Sequence, residues 1–582
     1  MPRISQMVNS HPRSVIVGSK NYNYMSAVLP SQTEEIISYN PATGEAVGRA
    51  RQTSVDEVGH AVLRSRDAFS SWSRSTFRER RELIMHAREV ILSQLDEIAN
   101  LISEESGKPV AESISMEIAP VLDLMQYFAR NAEKLLRPRK ISIGLYSLLG
   151  RSSKIVYHPL GVVGIIPAWN YPFAIPLGEA AMALMAGNSV IVKPSELTPL
   201  VGLKIGEIFK KAGAPSDLVQ VITGDGRTGA ALVDAAPDKI MFTGSVATGK
   251  KIAKAAAENL TSVVLELGGK DPMVVFADAN LSLAADAAIW GAFCNSGQSC
   301  SSVERLYVEA SVADKFTQML VDRVKALKQG AGTDDDVSIG AMSSERQIKI
   351  VEDHVEQFRK DGATILTGGK RSDARSEDTP VLNAVASTAY KQNVSPLSEA
   401  HEDRSVLAPL FYEPTIITNA RNDMRAMQEE TFGPTLPIGT FQTEEEAIKL
   451  ANDSEFGLTA SVWTKDLSKG KRVAKRIEAG SVTVNEVLYT HGIGQTPWGG
   501  FKKSGRGRTH GIEGLMELVQ PQHIHVNRLA ILPNAWWMPY SATATETFRG
   551  FAKYFATGSA FQTARLLPQL VRRIKELLRN KK

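Results

Sequence analysis

The sequence predicts an α/β protein with a doubly wound, Rossmann-like centre, on two observations. Between about residues 155 and 276, short apolar runs alternate with single helical stretches, the pattern of a parallel sheet covered on both faces. From about 280 to 500 a similar mixture continues, enough chain for a second α/β domain. A length of 582 residues leads one to expect two or more domains in any case.

Residues 1–33 hold no carboxylate but include Pro2, Pro12 and Pro30; they read as a disordered leader, with a mitochondrial transit peptide as the alternative. Residues 56–137 read as long amphipathic helices, one of them Arg78–Ile102. Strand candidates follow at Val162–Ile166, Val190–Lys193, Val219–Thr223, Lys239–Thr243, Val263–Leu267 and Met273–Phe276, with helices at about 177–186, 199–212, 226–235 and 248–258. Ligands of such a sheet bind beyond the carboxyl ends of its strands. Residues 371–406 are polar and aperiodic, which suits a disordered surface loop. No apolar run is long enough to span a membrane.

The end of the chain differs from the rest. Residues 526–582 carry ten Lys or Arg against Glu546 and Glu576, leaving the remainder with 57 basic and 61 acidic residues. That slightly acidic body argues against nucleic acid as a partner. In ARLLPQLVRRIKELLRNKK, Leu566, Leu567, Leu570, Val571, Ile574, Leu577 and Leu578 form one helical stripe, with Arg572, Arg573, Lys575 and Arg579 around it. Upstream, ILPNAWWMPY gathers two tryptophans and a tyrosine. Together these read as peripheral membrane contact through residues 530–582, with packing on the body of the protein or on a partner subunit as the alternative.

Both cysteines, Cys294 and Cys300, lie in FCNSGQSCSSV. Two cysteines make no disulfide framework, and without a histidine at ligand spacing no metal site is expected. Small residues leave backbone N–H groups accessible around Cys300, and a thiolate is the attacking form of a cysteine. VVLELGGKDP sets Glu266 at a strand end before two glycines, where a carboxylate can activate water. IIPAWNYPF sets Asn170 at a strand exit stiffened by Pro167 and Pro172, where an amide can hold an oxyanion. Taken singly, these residues equally suit a small buried hydrophobe, a solvated strand-end acid and a turn residue.

The nucleotide signals are of the same kind. No G-x-G-x-x-G follows any strand. In FTGSVATGKK, Gly244 permits close backbone approach and Ser245 can cap a helix whose free N–H groups favour an anion. In VIVKPSE, Lys193 and Glu196 leave a strand tip three residues apart. A carboxylate there can accept from both hydroxyls of a ribose and would repel a 2′-phosphate, which favours NAD over NADP; a surface ion pair is the alternative.

PAWNYPF, KPSELTP, FTGSVATG, LELGGK, FCNSGQSC, EETFGP and NEV followed by PWGGFKKSGRG stand in this order, and over about residues 34–526 the chain resembles the NAD(P)-dependent aldehyde dehydrogenases. The resemblance implies oxidation of an aldehyde to its carboxylic acid. Cys300 would be the nucleophile, Asn170 with the Cys300 N–H the oxyanion holder, and Glu266 the base for the hydrolytic water. Pro167, Trp169, Lys193, Glu196, Gly244, Ser245, Leu267, Glu430 and Phe432 would contact the cofactor. It implies a cofactor-binding domain from 34–141 and 160–267, a catalytic domain at 268–506, and a β oligomerisation arm from 142–159 and 507–526, hence a homodimer or homotetramer. Residues 527–582 would be an added tail. A coenzyme A-acylating enzyme is opposed by Glu266, and a catalytically silent membrane-tethered scaffold by the complete residue set.

Four departures from the family stand out. Cys294 replaces a residue often aromatic in relatives, which would set it along the aldehyde tunnel. Ser299 precedes the nucleophile, the 371–406 loop is longer, and the tail has no counterpart in the standard soluble members. The expected location is cytoplasmic, with peripheral attachment to a cytosol-facing membrane such as the endoplasmic reticulum, or a mitochondrial address, as alternatives.

Overall fold

Five of the six strand candidates lie side by side in one sheet. The computed structural model describes residues 34–372 and 409–579, so the leader and all of the 371–406 loop but its first two residues fall outside it. The six-stranded sheet runs in the order Gly505–Arg506, Ser262–Glu266, Lys239–Thr243, Val162–Ile166, Ser189–Val192 and Val219–Val221. All neighbours pair in parallel except the antiparallel two-residue edge. Val162–Ile166 and Ser189–Val192 are buried along their whole length, which is why they read as continuous apolar runs. Helices Ala174–Ala186, Pro199–Lys211, Gly226–Asp234 and Val246–Glu258 connect the strands. The strand order reverses between Val162–Ile166 and Lys239–Thr243, so residues 167–170 and 244–245 emerge at the switch point where a doubly wound fold binds its ligand.

Two expectations are corrected. Met273–Phe276 does not extend this sheet: Asp271–Val275 is central in a second sheet. Only four residues separate it from Ser262–Glu266, whereas a parallel crossover needs about a dozen. Arg78–Ile102 is two helices, Phe77–Ser93 and Leu95–Ser106, broken at Gln94. Ile84, Ile91 and Ile98 keep one buried seven-residue spacing across the break, so the hydrophobic pattern gives no sign of it.

The second sheet has seven strands in the order Thr364–Thr367, Thr415–Thr418, Thr435–Phe441, Val303–Glu309, Asp271–Val275, Thr459–Trp463 and Ser481–Val484, all parallel but the first. Its three central strands are entered from residues 294–302, 268–270 and 430–434. These lead-ins converge where the carboxyl ends of the first sheet open.

A third sheet of Arg139–Ile141, Arg151–Pro159 and Val519–Asn527 is antiparallel, in register from Val519 opposite Pro159 to Asn527 opposite Arg151. Beyond it, helices Ala542–Thr557 and Ala560–Arg579 pack together. Leu566 and Leu570 meet Phe551, Ala535 and Leu145 in a small core of their own. The predicted leucine stripe therefore divides: Leu566, Leu570 and Leu577 are buried, while Leu567, Val571 and Leu578 face outward. Arg573, expected outside the stripe, is fully buried. Its guanidinium donates to the carbonyls of Ala535, Trp537 and Pro539 and pairs with Glu576 at 3.0 Å. Among the described residues no helix is long and apolar enough to cross a membrane.

Candidate active site

Cys300 sits at the wall of a cleft with an empty volume of about 970 Å³, mouth included, lined also by Asn170's neighbour Tyr171 and by Glu266, Leu267, Glu179, Trp290 and Trp498. The turn before it is tight. Asn295, Ser296 and Gly297 all have positive φ, and a Cβ on Gly297 would stand 2.2 Å from the Gly433 carbonyl. That left-handed run bends helix Leu281–Phe293 sharply back toward strand Val303–Glu309 and sets Cys300 between them. Burial, with Asp271, Glu430 and Glu266 nearby, holds the Cys300 thiol well above its ordinary range.

Cys294 does not reach the tunnel. It is 4% exposed and packs among Phe293, Ala292 and Val303, and the cleft side of that helix is Trp290. The reason is spacing: Trp290 and Cys294 are separated by the kink after Phe293, so they do not share a helical face.

Asn170 is held from both sides. Its Nδ2 donates to the Gln298 carbonyl at 3.1 Å, and its own carbonyl accepts from Lys108 Nζ at 2.7 Å and Asn295 Nδ2 at 2.9 Å. One amide hydrogen thus remains for a ligand. Lys108 was not anticipated, nor was its fully buried partner Glu117 at 2.6 Å. Glu117 lies in a short π-helical segment, Ser113–Ile118, and its other oxygen accepts from the Phe173 and Ala174 N–H groups at the start of helix Ala174–Ala186. Glu112 accepts from the Asn295 N–H at 2.8 Å. The only advance signal was Lys and two Glu within ten residues of apolar helix.

Glu266 is 5% exposed and neither carboxyl oxygen has a partner. Burial, and then the carboxyl of Glu179, push it well above the usual carboxylate range against the pull of Arg508. Glu179, also missed, stands on helix Ala174–Ala186 and is raised to about 8 by burial. His491 and His510 face each other at 4.7 Å on the same wall, and burial drops His491 to about 4.

On the nucleotide side, Lys193 is buried and 3.5 Å from the half-exposed Glu196 at the strand tip. Ser245 caps helix Val246–Glu258 by accepting from the Thr248 N–H, and Gly244 lies against the Phe242 ring, where a Cβ would stand at 2.6 Å. Pro167 and Trp169 leave the neighbouring strand, and Trp169 meets Phe432 edge-on at 5.5 Å. Glu430 accepts from the Gly269 N–H at 3.0 Å, with Gly268 so close that a Cβ would lie 2.5 Å from its carboxyl. Beneath that loop, a buried Lys270–Glu304 pair at 2.6 Å lets Glu304 receive the Thr431 and Phe432 N–H groups. Of the predicted site residues, Cys300, Glu266 and Leu267 line the cleft, Asn170 is tied to the turn before Cys300, and Lys193 and Glu196 stand together at a strand tip. A carboxylate to accept from ribose hydroxyls, a lysine to donate to them, a helix N-terminus for the phosphates and a side-on aromatic are groups that suit a dinucleotide.

A profile of the Aldehyde dehydrogenase family matches residues 28–388 and 378–524. A 4,4′-diapolycopene aldehyde oxidase from Methylomonas sp. is 37% identical over 93% of this chain and 95% of its own. A match of that span reaches past the arm strand into the tail. A betaine aldehyde dehydrogenase from Bacillus subtilis (strain 168) is 37% identical over 86% of this chain and 96% of its own. The crystal structure of betaine aldehyde dehydrogenase from Staphylococcus aureus, in complex with NAD+, superposes with a TM-score of 0.77 at 35% identity, covering 88% of this chain and 95% of that one.

Proposed function

Because the chain belongs to the aldehyde dehydrogenase family, we propose that it oxidises an apolar aldehyde to the carboxylic acid with NAD, and that water rather than coenzyme A releases the product. The observation that carries this is a cleft lined by the Cys300 thiol and by a Glu266 carboxyl with two unpartnered oxygens, with Asn170, whose amide keeps one spare N–H, directly before the lining residue Tyr171. Lys193, Glu196, Gly244, Ser245, Glu430 and Phe432, with Pro167, Trp169 and Leu267 beside them, would hold NAD, which supplies the hydride acceptor.

Glu266 takes the Cys300 proton as Sγ adds to the aldehyde carbon. The resulting oxyanion accepts from Asn170 Nδ2 and the Cys300 N–H. Loss of hydride leaves a thioester on Sγ. Glu266, once it has passed that first proton to solvent, deprotonates the attacking water, and collapse of the second tetrahedral adduct releases the acid and the thiolate. Met116, Pro120, Ile175, Trp290 and Leu488 line the approach, and burial favours the neutral forms of Glu179, His491 and His510 there. Such a wall suits a hydrocarbon-chain aldehyde, the kind named for the Methylomonas relative.

The same reading assigns residues 34–141 and 160–267 to cofactor binding and 268–506 to catalysis. It extends to a homodimer or homotetramer joined at the Val519–Asn527 edge, and to peripheral membrane contact through residues 530–582. The test is NADH formation with a panel of apolar long-chain, short and cationic aldehydes. We expect the highest kcat/KM for the apolar chains and none in Cys300→Ala. No NADH with any aldehyde, or activity retained in Cys300→Ala, overturns the reaction; preference for the cationic aldehyde overturns the substrate class.

A further inference from the structure

We propose that the outward face of helix Ala560–Arg579, with the loop that Arg573 clamps against it, is a docking surface for an anionic lipid bilayer. This deepens the membrane contact proposed for residues 530–582 by naming the face and the lipid.

The fold uses one side of this helix and leaves the other exposed. Packing against helix Ala542–Thr557 consumes Leu566 and Leu570, Leu577 is buried as well, and the buried guanidinium of Arg573 is spent on three loop carbonyls. What remains outside is an apolar group, Leu567, Val571 and Leu578, each 41–50% exposed. Helical spacing puts these on a common strip, and the next strip around the helix carries Arg565, Arg572, Lys575 and Arg579. The one carboxylate of this helix, Glu576, is turned to Arg573 and kept ionised by Ser541 and Arg573. Apolar and cationic side chains sharing one face, without a carboxylate, is the composition of an interfacial helix rather than of a solvated one.

The clamped loop adds a second element. Ile531 is 89% exposed, Met538 75%, Tyr540 65% and Trp537 52%, although Arg573 fixes the backbone that carries the last three. Large side chains displayed from a held backbone suit the headgroup boundary. The occupant follows from charge. A second copy laid face to face would oppose four cations with the same four, whereas anionic headgroups would neutralise them. The slightly acidic body would be repelled by the same surface, so the protein would approach tail first.

The full-length protein is co-sedimented with vesicles of phosphatidylcholine, with and without phosphatidylserine. Arg572→Glu/Lys575→Glu/Arg579→Glu and Leu567→Ser/Val571→Ser/Leu578→Ser are run beside wild type. Retained NADH formation from a soluble aldehyde and unchanged circular dichroism show that each variant is folded. We expect wild type to bind only the vesicles with phosphatidylserine and each triple variant to lose at least about ten-fold in partitioning. Binding to neither vesicle overturns both this face and the membrane contact itself. Binding that is equal on both vesicles, or untouched by either variant, overturns the face and the lipid while leaving membrane contact standing. A doubling of mass in light scattering, lost in the leucine variant, makes a second copy the occupant and overturns the proposal.

Discussion

At the scale of single residues, the site is built on buried charges that the chemistry itself does not consume. Lys108 touches no substrate, yet it holds the Asn170 carbonyl and neutralises Glu117, which in turn holds the start of helix Ala174–Ala186. Removing one member of a fully buried pair leaves the other uncompensated, at about 3–5 kcal/mol. Lys108→Met should therefore lower urea-unfolding stability by that order and also depress kcat. Pairing it with Glu117→Met should recover much of the stability but not kcat, because Asn170 still lacks its anchor. Recovery of both would mean that Lys108 is structural only. The raised Cys300 thiol gives a second expectation: without cofactor, iodoacetamide inactivation should be slow at neutral pH and accelerate as pH rises into the alkaline range. A plateau reached below pH 7 would contradict it.

Glu179 allows the sign to be worked through. Its carboxyl titrates at about 8 in the fold against 4.5 outside it, so the folded state binds the proton more tightly. That contribution to stability is complete below pH 4.5 and is lost as pH climbs through about 8. Glu179→Gln should flatten this loss in denaturation measured from pH 5 to 9. It should also move the ascending limb of the kcat–pH profile to lower pH, since Glu179 helps to raise Glu266. A profile that does not move would separate the two carboxyls.

At the scale of elements, the alternation of strand and helix was legible because parallel strands buried on both faces must be apolar throughout; Val162–Ile166 and Lys239–Thr243 appear with their predicted ends. The break at Gln94 was not, since no Gly or Pro marks it. Nor was the sheet that receives Asp271–Val275, which depends on connection length and not on composition. Cys300, Glu266 and Asn170 were legible as ordered motifs at strand exits. Lys108, Glu117, Glu179 and Glu304 were invisible because their roles arise from distant partners; Glu304 reads as one more strand residue until Thr431 and Phe432 arrive on it. The turn at residues 295–297 gives the element-scale prediction. Gly297→Ala combines a positive φ with a Cβ 2.2 Å from the Gly433 carbonyl, so the loop carrying Cys300 has to shift. We expect kcat to fall by about 100-fold or more, the scale of a misplacement of about 1 Å. The Glu196 side of the surface lies away from this loop, so NAD affinity by titration calorimetry should change little.

At the scale of the molecule, the tail has its own core, which takes in Leu145 and Leu149 of the arm; beside it Tyr146 stacks on Phe555 at 6.1 Å, and Arg528 N–H donates to the Gly150 carbonyl. The cores beneath the two large sheets share no residue with it. The tail should therefore loosen without disturbing catalysis. Arg573→Met is the substitution to use: it removes the donor of three carbonyls in a place closed to water, at about 1.5–3 kcal/mol for each charged hydrogen bond lost. Limited proteolysis should then cut first between residues 528 and 579, while NADH formation from a soluble aldehyde keeps its kcat and its thermal midpoint. A parallel fall in kcat, or a lower midpoint for loss of activity, would show that arm, tail and catalytic core melt together, and the tail would have to be counted as part of the enzyme's fold rather than as a module carried by its arm.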